Sequence, residues 1–501
     1  MGLKSFLSKP LASFIHASRK KWVLQPENIQ EKVYKELLEK GRKTQFGKAH
    51  GLDDIKGVAD FRKQVPVQDY EGLSPYIEKI KEGQKDVLWP GSPIYFAKTS
   101  GTTSGVKYIP ITAASIPYHI AGARDTLLNY VHHTGKAAFL DGNMIFLSGS
   151  PEMQQKNGIH IGRLSGIVNH HVPSYLRKSQ RPGYETNCIE DWEQKLEKIT
   201  EETLTSRMTL ISGIPPWVQM YFDKLTERTG KKVKDIFPDF SVFVYGGVNF
   251  EPYKAKLFDS IGKKVDSIET YPASEGFIAF QDQQEDNGLL LLLNSGIFYE
   301  FIPVEEYFSQ NPSRLTIGEV ELGKNYALIM TTNAGLWAYS IGDTVKFVSK
   351  NPHRILVTGR IKHFISAFGE HVIGEEVEKA MKNTLLKNPE VSLVEFTVAP
   401  QVAPSEGLPY HEWFIEFEHL PANAEKFAKE LDEELVCLNI YYKDLIEGGI
   451  LKPLVITSLK RNAFIELMKS KGKLGGQNKA PRLSNDRNFA QGLEKFKADR
   501  L

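Results

Sequence analysis

The sequence predicts an α/β protein: a large N-terminal domain of parallel-rich sheets and helices, followed by a small α+β C-terminal domain. Three observations predict it. Apolar, strand-sized runs alternate with helix-patterned stretches through the first 358 residues, as in sheets buried on both faces. The pattern changes near residue 359 to two long strand-like runs followed by a helix, with strand and helix again to about 468. At 501 residues the chain is also too long for one ordinary core. The expected boundaries are therefore 1–358 for the large domain, 359–364 for the connecting segment and 365–501 for the small domain.

Taken in order, residues 1–22 mix Lys4, Lys9, Arg19, Lys20 and Lys21 with Phe6, Leu7, Leu11, Phe14 and Ile15. Ser8, Lys9 and Pro10 interrupt the apolar run, which lacks a signal-peptide core. It reads as an amphipathic helix packed on its own protein, with a membrane surface as the alternative. Residues 27–41 place Ile29, Val33, Leu37 and Leu38 at helical spacing, with Gly41 as a stop. Strands are expected at 143–150, 207–213, 240–247, 265–273 and 326–332, with helices at 191–204 and 215–230. The five leucines from Leu289 to Leu293 are strand-sized, far short of the ~20 residues of a membrane span. Beyond the boundary come strands at 391–400 and 411–420 and a helix from about 423 to 437. The tail from Lys469 to Asp486 is glycine-rich, basic and expected to be irregular.

Composition narrows the function. Hydrophobic residues are 41% and charged residues 25%, a globular balance. Sixty-three basic against 61 acidic side chains leave a net charge of +2, which supplies no bulk drive toward nucleic acid. Cys188 and Cys437 are too few and too far apart for a zinc ribbon or disulfide scaffold, and they fit a reducing cytoplasm. The pairs His132-His133 and His170-His171 are read as extended neighbours facing opposite ways, so no transition-metal site is expected.

The sharpest motif is Thr99-Ser100-Gly101-Thr102-Thr103-Ser104-Gly105-Val106-Lys107, set between two strand-like runs. Glycines let backbone amides converge on an anion, the hydroxyls add donors, and Lys107 supplies positive charge. Three residues separate its glycines and Val106 precedes the lysine, so it is not a Walker loop. Downstream, in Glu269-Thr270-Tyr271-Pro272-Ala273-Ser274-Glu275-Gly276, Tyr271 can stack on a base, Ser274 can bond a phosphate and Glu275 can hold Mg²⁺. In Tyr339-Ser340-Ile341-Gly342-Asp343-Thr344, Asp343 is a carboxylate on a Gly-Asp turn after an apolar strand, able to accept two charge-assisted hydrogen bonds.

These elements, in this order, resemble the adenylate-forming enzymes, and most closely the acyl acid amido synthetases that conjugate auxin or jasmonate to amino acids. Thr358 to Glu378 resembles that superfamily's hinge, with His363 at the usual aspartate position, and Ser340 stands where an arginine is usual. Gly475 to Arg482 resembles the amido synthetases' lysine-x-Pro-Arg tail. The resemblance implies an adenylate-forming N-terminal domain and a mobile C-terminal one. It implies ATP and Mg²⁺ with a small carboxylic acid and an amino acid as substrates, and no integral membrane association. Lys479 would enter the site for adenylation and act with Thr102 and Lys107. Thr99, Ser100, Gly101, Thr103, Ser104, Gly105, Thr270, Tyr271, Ser274 and Asp343 would bind nucleotide, and Glu275 the metal. Val244 to Val248 resembles the adenine-pocket turn, adding Gly247 and Val248, though a plain strand end fits them equally well. Arg124, on the helix-like stretch after the loop, would bind the acid, a solvated helix arginine being the other reading. A thiol acceptor such as coenzyme A and a nucleotide binder without catalysis stay open as alternatives.

Overall fold

The computed structural model describes residues 2–102, 105–247, 250–285, 288–361, 364–365, 367–370, 372–470 and 480–498. The chain divides into two compact units. One comprises Met1–Thr99, Lys107–Glu190 and Lys195–Ile361; the other Ser100–Val106, Asp191–Gln194 and Lys362–Leu501. The architecture is mixed α/β.

The strands in chain order are β1 (Tyr95–Thr102), β2 (Gly105–Ile111), β3 (Asn143–Phe146), β4 (Gln154–Lys156), β5 (Ile159–Gly162), β6 (Gln180–Arg181) and β7 (Met208–Ser212). They continue with β8 (Val242–Gly246), β9 (Asp266–Ala273), β10 (Gly276–Gln281), β11 (Leu289–Leu291), β12 (Ile297–Pro303), β13 (Asn325–Thr332), β14 (Tyr339–Lys350) and β15 (His353–Arg360). The last are β16 (Phe364–Ile365), β17 (Val372–Ile373), β18 (Ser392–Gln401), β19 (Tyr410–His419) and β20 (Val455–Ser458).

Eleven strands build one sheet in the order β12-β13-β14-β15-β11-β10-β9-β8-β7-β3-β6. The end from β9 to β6 is parallel, because helices such as Pro215–Thr229 and Glu251–Ile261 form the crossovers. From β9 to β12 the pairing is antiparallel, since short connections such as Ser274-Glu275 between β9 and β10 admit nothing else. The leucine run sits at β11 in mid-sheet, and all five side chains are buried. A second sheet, β2-β1-β5-β4, lies in the first third of the chain, and the C-terminal part carries β18-β19-β20.

The helix Pro26–Gly41 buries Val33, Leu37 and Leu38 as its periodicity predicts. The helix ends at Gly41, as expected, and the lack of a side chain there has a further cause. Gly41 is still helical, and a Cβ there would lie 2.2 Å from the Trp337 ring, so the site demands a residue without one. The N-terminal segment forms a helix, Leu3–Val23, running through Pro10; its buried side is Ser5, Ser8, Ala12, Arg19 and Trp22 rather than the leucines. His132 and His133 lie on helix Ile116–Thr134, not on extended chain, and His16 stacks on His132 at 3.9 Å. Past residue 479 the tail is tethered. Arg482 O accepts from Val398 N–H at 3.1 Å, Val398 O accepts from Ser484 N–H at 3.0 Å, and a further helix, Asn488–Glu494, follows. No helix is long and apolar enough to cross a membrane among the described residues.

Candidate functional site

The C-terminal ends of the parallel strands β8 and β9 lie side by side, the place where open α/β sheets collect ligands. Gly246 pairs with Thr270, and a Cβ on Gly246 would stand 2.3 Å from Thr270 O, so only glycine admits this approach. Thr270 Oγ1 donates to Tyr245 O at 2.9 Å and ties the two strand ends together. Gly247 follows at φ +81°, exposed and with open space where a Cβ would stand.

Beyond Thr270, β9 carries Tyr271 and turns through Ser274-Glu275 into β10. Glu275 is buried and Ser274 half-buried in this tight turn, after which the ladder shifts register between Phe277 and Ala279. Helix Ile116–Thr134 packs on this hairpin through Gly122, where a Cβ would lie 2.3 Å from the Phe277 ring. Arg124 belongs to that helix, but its side chain is 55% exposed and its Nε donates to Asp125 Oδ1 at 2.7 Å.

Asp343 comes from β14. Ser340 pairs with Ile329 and Thr344 with Ala327, so β14 holds extra residues against β13 and bulges at Ile341, Gly342 and Asp343. Gly342 takes φ +86° there, a conformation that costs glycine little and other residues more. The bulge re-aims Asp343, whose Oδ2 accepts the Tyr271 hydroxyl at 2.5 Å. Four strand spacings separate β9 from β14 in the sheet order, about 19 Å were the sheet flat. The hydrogen bond therefore requires strong curling. β11 pairs with β15 only at Ile355 and Arg354, which leaves the far end of the β14–β15 ribbon free to twist over the hairpin. Ser340, at the usual arginine position, is buried and accepts from the Tyr307 hydroxyl at 2.8 Å.

The hydroxyl-rich motif is more regular than a loop. β1 runs to Thr102 and β2 resumes at Gly105, so Thr99, Ser100, Gly101, Thr102 and Gly105 lie on strands, as β-branched threonines favour. Thr103 and Ser104 lie outside the described residues, as do Val248, Lys362, His363 and Lys479; for Ser100, Gly101, Thr102 and Gly105 the description covers the backbone. Lys107 Nζ sits 5.8 Å from the centroid of the Tyr70 ring, and Tyr70 Oη accepts from Tyr108 N–H at 3.0 Å. Burial pushes the Tyr70 phenol up to about 12, so it stays neutral beside the lysine.

Tyr70 itself carried no functional signal in the sequence. Arg314, paired with buried Glu300, donates to Val65 O at 2.7 Å; Gln68 then bridges Tyr339, its O accepting from Ser340 N–H at 2.7 Å. The stretch Val65–Tyr70 thus braces the start of β14 and, through Tyr70, the middle of β2. Only Pro66 marked it as extended.

The arrangement supplies an open glycine turn, a tyrosine bonded to a buried carboxylate, a second buried carboxylate on a neighbouring turn and a lysine at the edge of a glycine-rich hairpin. Oxygen donors at Ser274 and Glu275 suit a hard cation such as Mg²⁺. Among the described residues no three His, Cys, Asp or Glu side chains form a metal cage, and a Mg²⁺ carried by nucleotide phosphates needs only one or two carboxylates.

Comparison with known proteins adds the following. Residues 19–182 match the GH3 family N-terminal domain, residues 290–360 its central domain and residues 375–488 its C-terminal domain. Among curated relatives, the jasmonoyl–L-amino acid synthetase JAR4 of Nicotiana attenuata is 23% identical, over 84% of this chain and 83% of that protein. The indole-3-acetic acid-amido synthetase GH3.3 of Arabidopsis thaliana is 22% identical, over 91% and 89%. The solved structure of AtGH3.15 acyl acid amido synthetase in complex with 2,4-DB superposes with a TM-score of 0.60 at 18% identity, covering 94% of both chains. 2-Hydroxyisobutyryl-CoA ligase in its thioesterification state also reaches 0.60, at 14% identity over 96% and 92%. These structural likenesses establish a shared fold.

Proposed function

The chain belongs to the GH3 family, and from that premise we propose that it is an ATP-dependent ligase that adenylates a small carboxylic acid and transfers the acyl group to the amino group of an amino acid. The observation that carries the reading is Asp343. A buried carboxylate, re-aimed by a bulge toward Tyr271 beside an open glycine turn, suits a ribose and its base.

In the first half-reaction a carboxylate oxygen attacks the α-phosphorus of ATP, and pyrophosphate leaves. Asp343 accepts from the ribose hydroxyls in exchange for the Tyr271 phenol, and the Tyr271 ring lies against the base, with Gly247 and Val248 as further base-binding residues. Donors from Thr99 to Gly105, with Thr270 and Ser274, hold the phosphates, and Lys107, Thr102 and Lys479 offset the charge developing there. Glu275 would hold Mg²⁺, which when bound neutralises phosphate charge. Arg124 would meet the acid's carboxylate only by giving up Asp125. In the second half-reaction the amine attacks the acyl carbonyl, loses a proton, and AMP leaves. Residues 359–364 serve as the hinge between a 1–358 domain and a mobile 365–501 domain, so that Lys479 acts in the first step and withdraws for the second. Two free cysteines support a cytoplasmic setting.

The test is mass spectrometry of products from pooled carboxylic acids and amino acids with MgATP. Amide conjugates formed with AMP and pyrophosphate are expected. Product with coenzyme A but none with any amino acid would move the assignment to a thiol acceptor. ATP binding without pyrophosphate release would make the chain a binder.

A further inference from the structure

The helix Leu3–Val23 turns its apolar residues outward. Leu3, Phe6, Leu7, Leu11 and Phe14 are exposed by 74, 64, 55, 46 and 72%. At 100° per residue they fall within a sector about 140° wide, one stripe rather than scattered single residues. Lys4 borders the stripe on one side, Lys9 and Lys20 on the other, and Lys21 lies at its C-terminal end.

Polar bonds hold the helix in this orientation. Asp141 accepts from Gly2 N–H at 2.7 Å and Ser5 N–H at 3.1 Å, capping the helix start. Lys4 Nζ donates to Ser179 Oγ at 2.6 Å, and the buried Arg19 donates to Asn129 Oδ1 and meets His16 Nδ1 at 2.8 Å. Rolling the helix to bury its leucines would strand the Arg19 guanidinium and break the Asp141 cap.

We infer that this helix docks on an anionic membrane surface, its apolar stripe entering the bilayer interface and Lys9, Lys20 and Lys21 meeting acidic headgroups. The charge pattern names the partner. The helix carries Lys4, Lys9, Arg19, Lys20 and Lys21 and no acid, and the first acidic residue of the chain is Glu27. Lysines edging an apolar stripe lay their stems along the interface and their ammonium groups among phosphates. A second copy is the poorer partner. Two such helices would face each other with cations on both and no acid on either, and the stripe exposes on the order of 600 Å², short of the ~800 Å² each partner gives a stable interface. This inference is independent of the ligase reading.

Sedimentation of the full chain with vesicles of phosphatidylcholine alone, or with phosphatidylserine added, tests it. Binding about tenfold stronger to the anionic vesicles is expected, weakening as salt is raised. Phe6→Ser with Phe14→Ser should abolish it while leaving the circular dichroism spectrum and Tm in place, and Lys20→Glu with Lys21→Glu should remove the preference for phosphatidylserine. Equal sedimentation with and without vesicles overturns the inference. So does a concentration-dependent dimer, seen by light scattering, that the phenylalanine substitutions dissolve.

Discussion

At Asp343 a single carboxylate, only 7% exposed, accepts the Tyr271 phenol at 2.5 Å, so the proposed ribose would have to exchange with that phenol. Replacing Asp343 by Ala removes a charged acceptor, typically worth about 1.5–3 kcal/mol, and the KM for ATP should rise on the order of ten- to a hundredfold. Unchanged ATP dependence of pyrophosphate release in the folded variant would end the ribose assignment. Glu275→Gln should shift the Mg²⁺ titration of the same half-reaction upward, because an amide is a weaker ligand for a hard cation. A parental titration curve would give Glu275 another task. His119, buried in helix Ile116–Thr134, has its imidazole pushed down to about 4 by burial. The unfolded histidine titrates near 6.5, so its stabilising contribution is complete above that pH and is lost as pH falls toward the folded value. Between pH 7 and 5 this one residue should cost about 2 kcal/mol of stability. Urea unfolding at both values checks it, and His119→Gln should flatten the pH dependence by that amount. If the variant's slope equals the parent's, the sensitivity originates elsewhere.

The bulge in β14 shows how one irregular element redirects a side chain. A regular ladder would alternate side chains across β14; the extra residues, with Gly342 at φ +86°, break that alternation. Gly342→Val should lower stability by about 1–3 kcal/mol through strain and weaken ATP binding although Asp343 remains. Urea unfolding and a nucleotide titration on the same variant separate the two effects, and parental ATP affinity would mean that the bulge does not aim the carboxylate. Elements with strong local signals were legible in the sequence. The helices over 26–41, 192–203 and 215–229 follow apolar periodicity, and Gly230 at φ +67° ends the last as a left-handed cap. The bulge was not legible, because Ile341-Gly342-Asp343 reads equally well as a turn after a strand. The N-terminal helix was legible as a helix, but its facing was not. Apolar periodicity says which residues share a stripe, whereas Asp141 and Asn129, far away in sequence, decide which stripe is buried.

At the scale of the whole molecule, the proposed ligase has to offer positive charge to ATP in one step and room for an amine in the next. Lys479→Ala should therefore cripple adenylate formation while sparing amide formation from synthetic acyl-adenylate. Single-turnover assays of each half-reaction check this, and equal losses in both would point to a shared binding defect. The sequence by itself determined the α/β class, the alternation of strands and helices, and the order of the glycine–hydroxyl, Tyr271 and Asp343 motifs. These depend on local periodicity and on residue chemistry at fixed spacing, which no distant contact alters. Tertiary structure alone decided that Tyr271 and Asp343, 72 positions apart, share a hydrogen bond across a curled sheet. It also decided that β11 pairs with only part of β15, and that Val65–Tyr70 braces two motif strands. Such pairings depend on register and twist accumulated over several strands, and no stretch of adjacent residues encodes them.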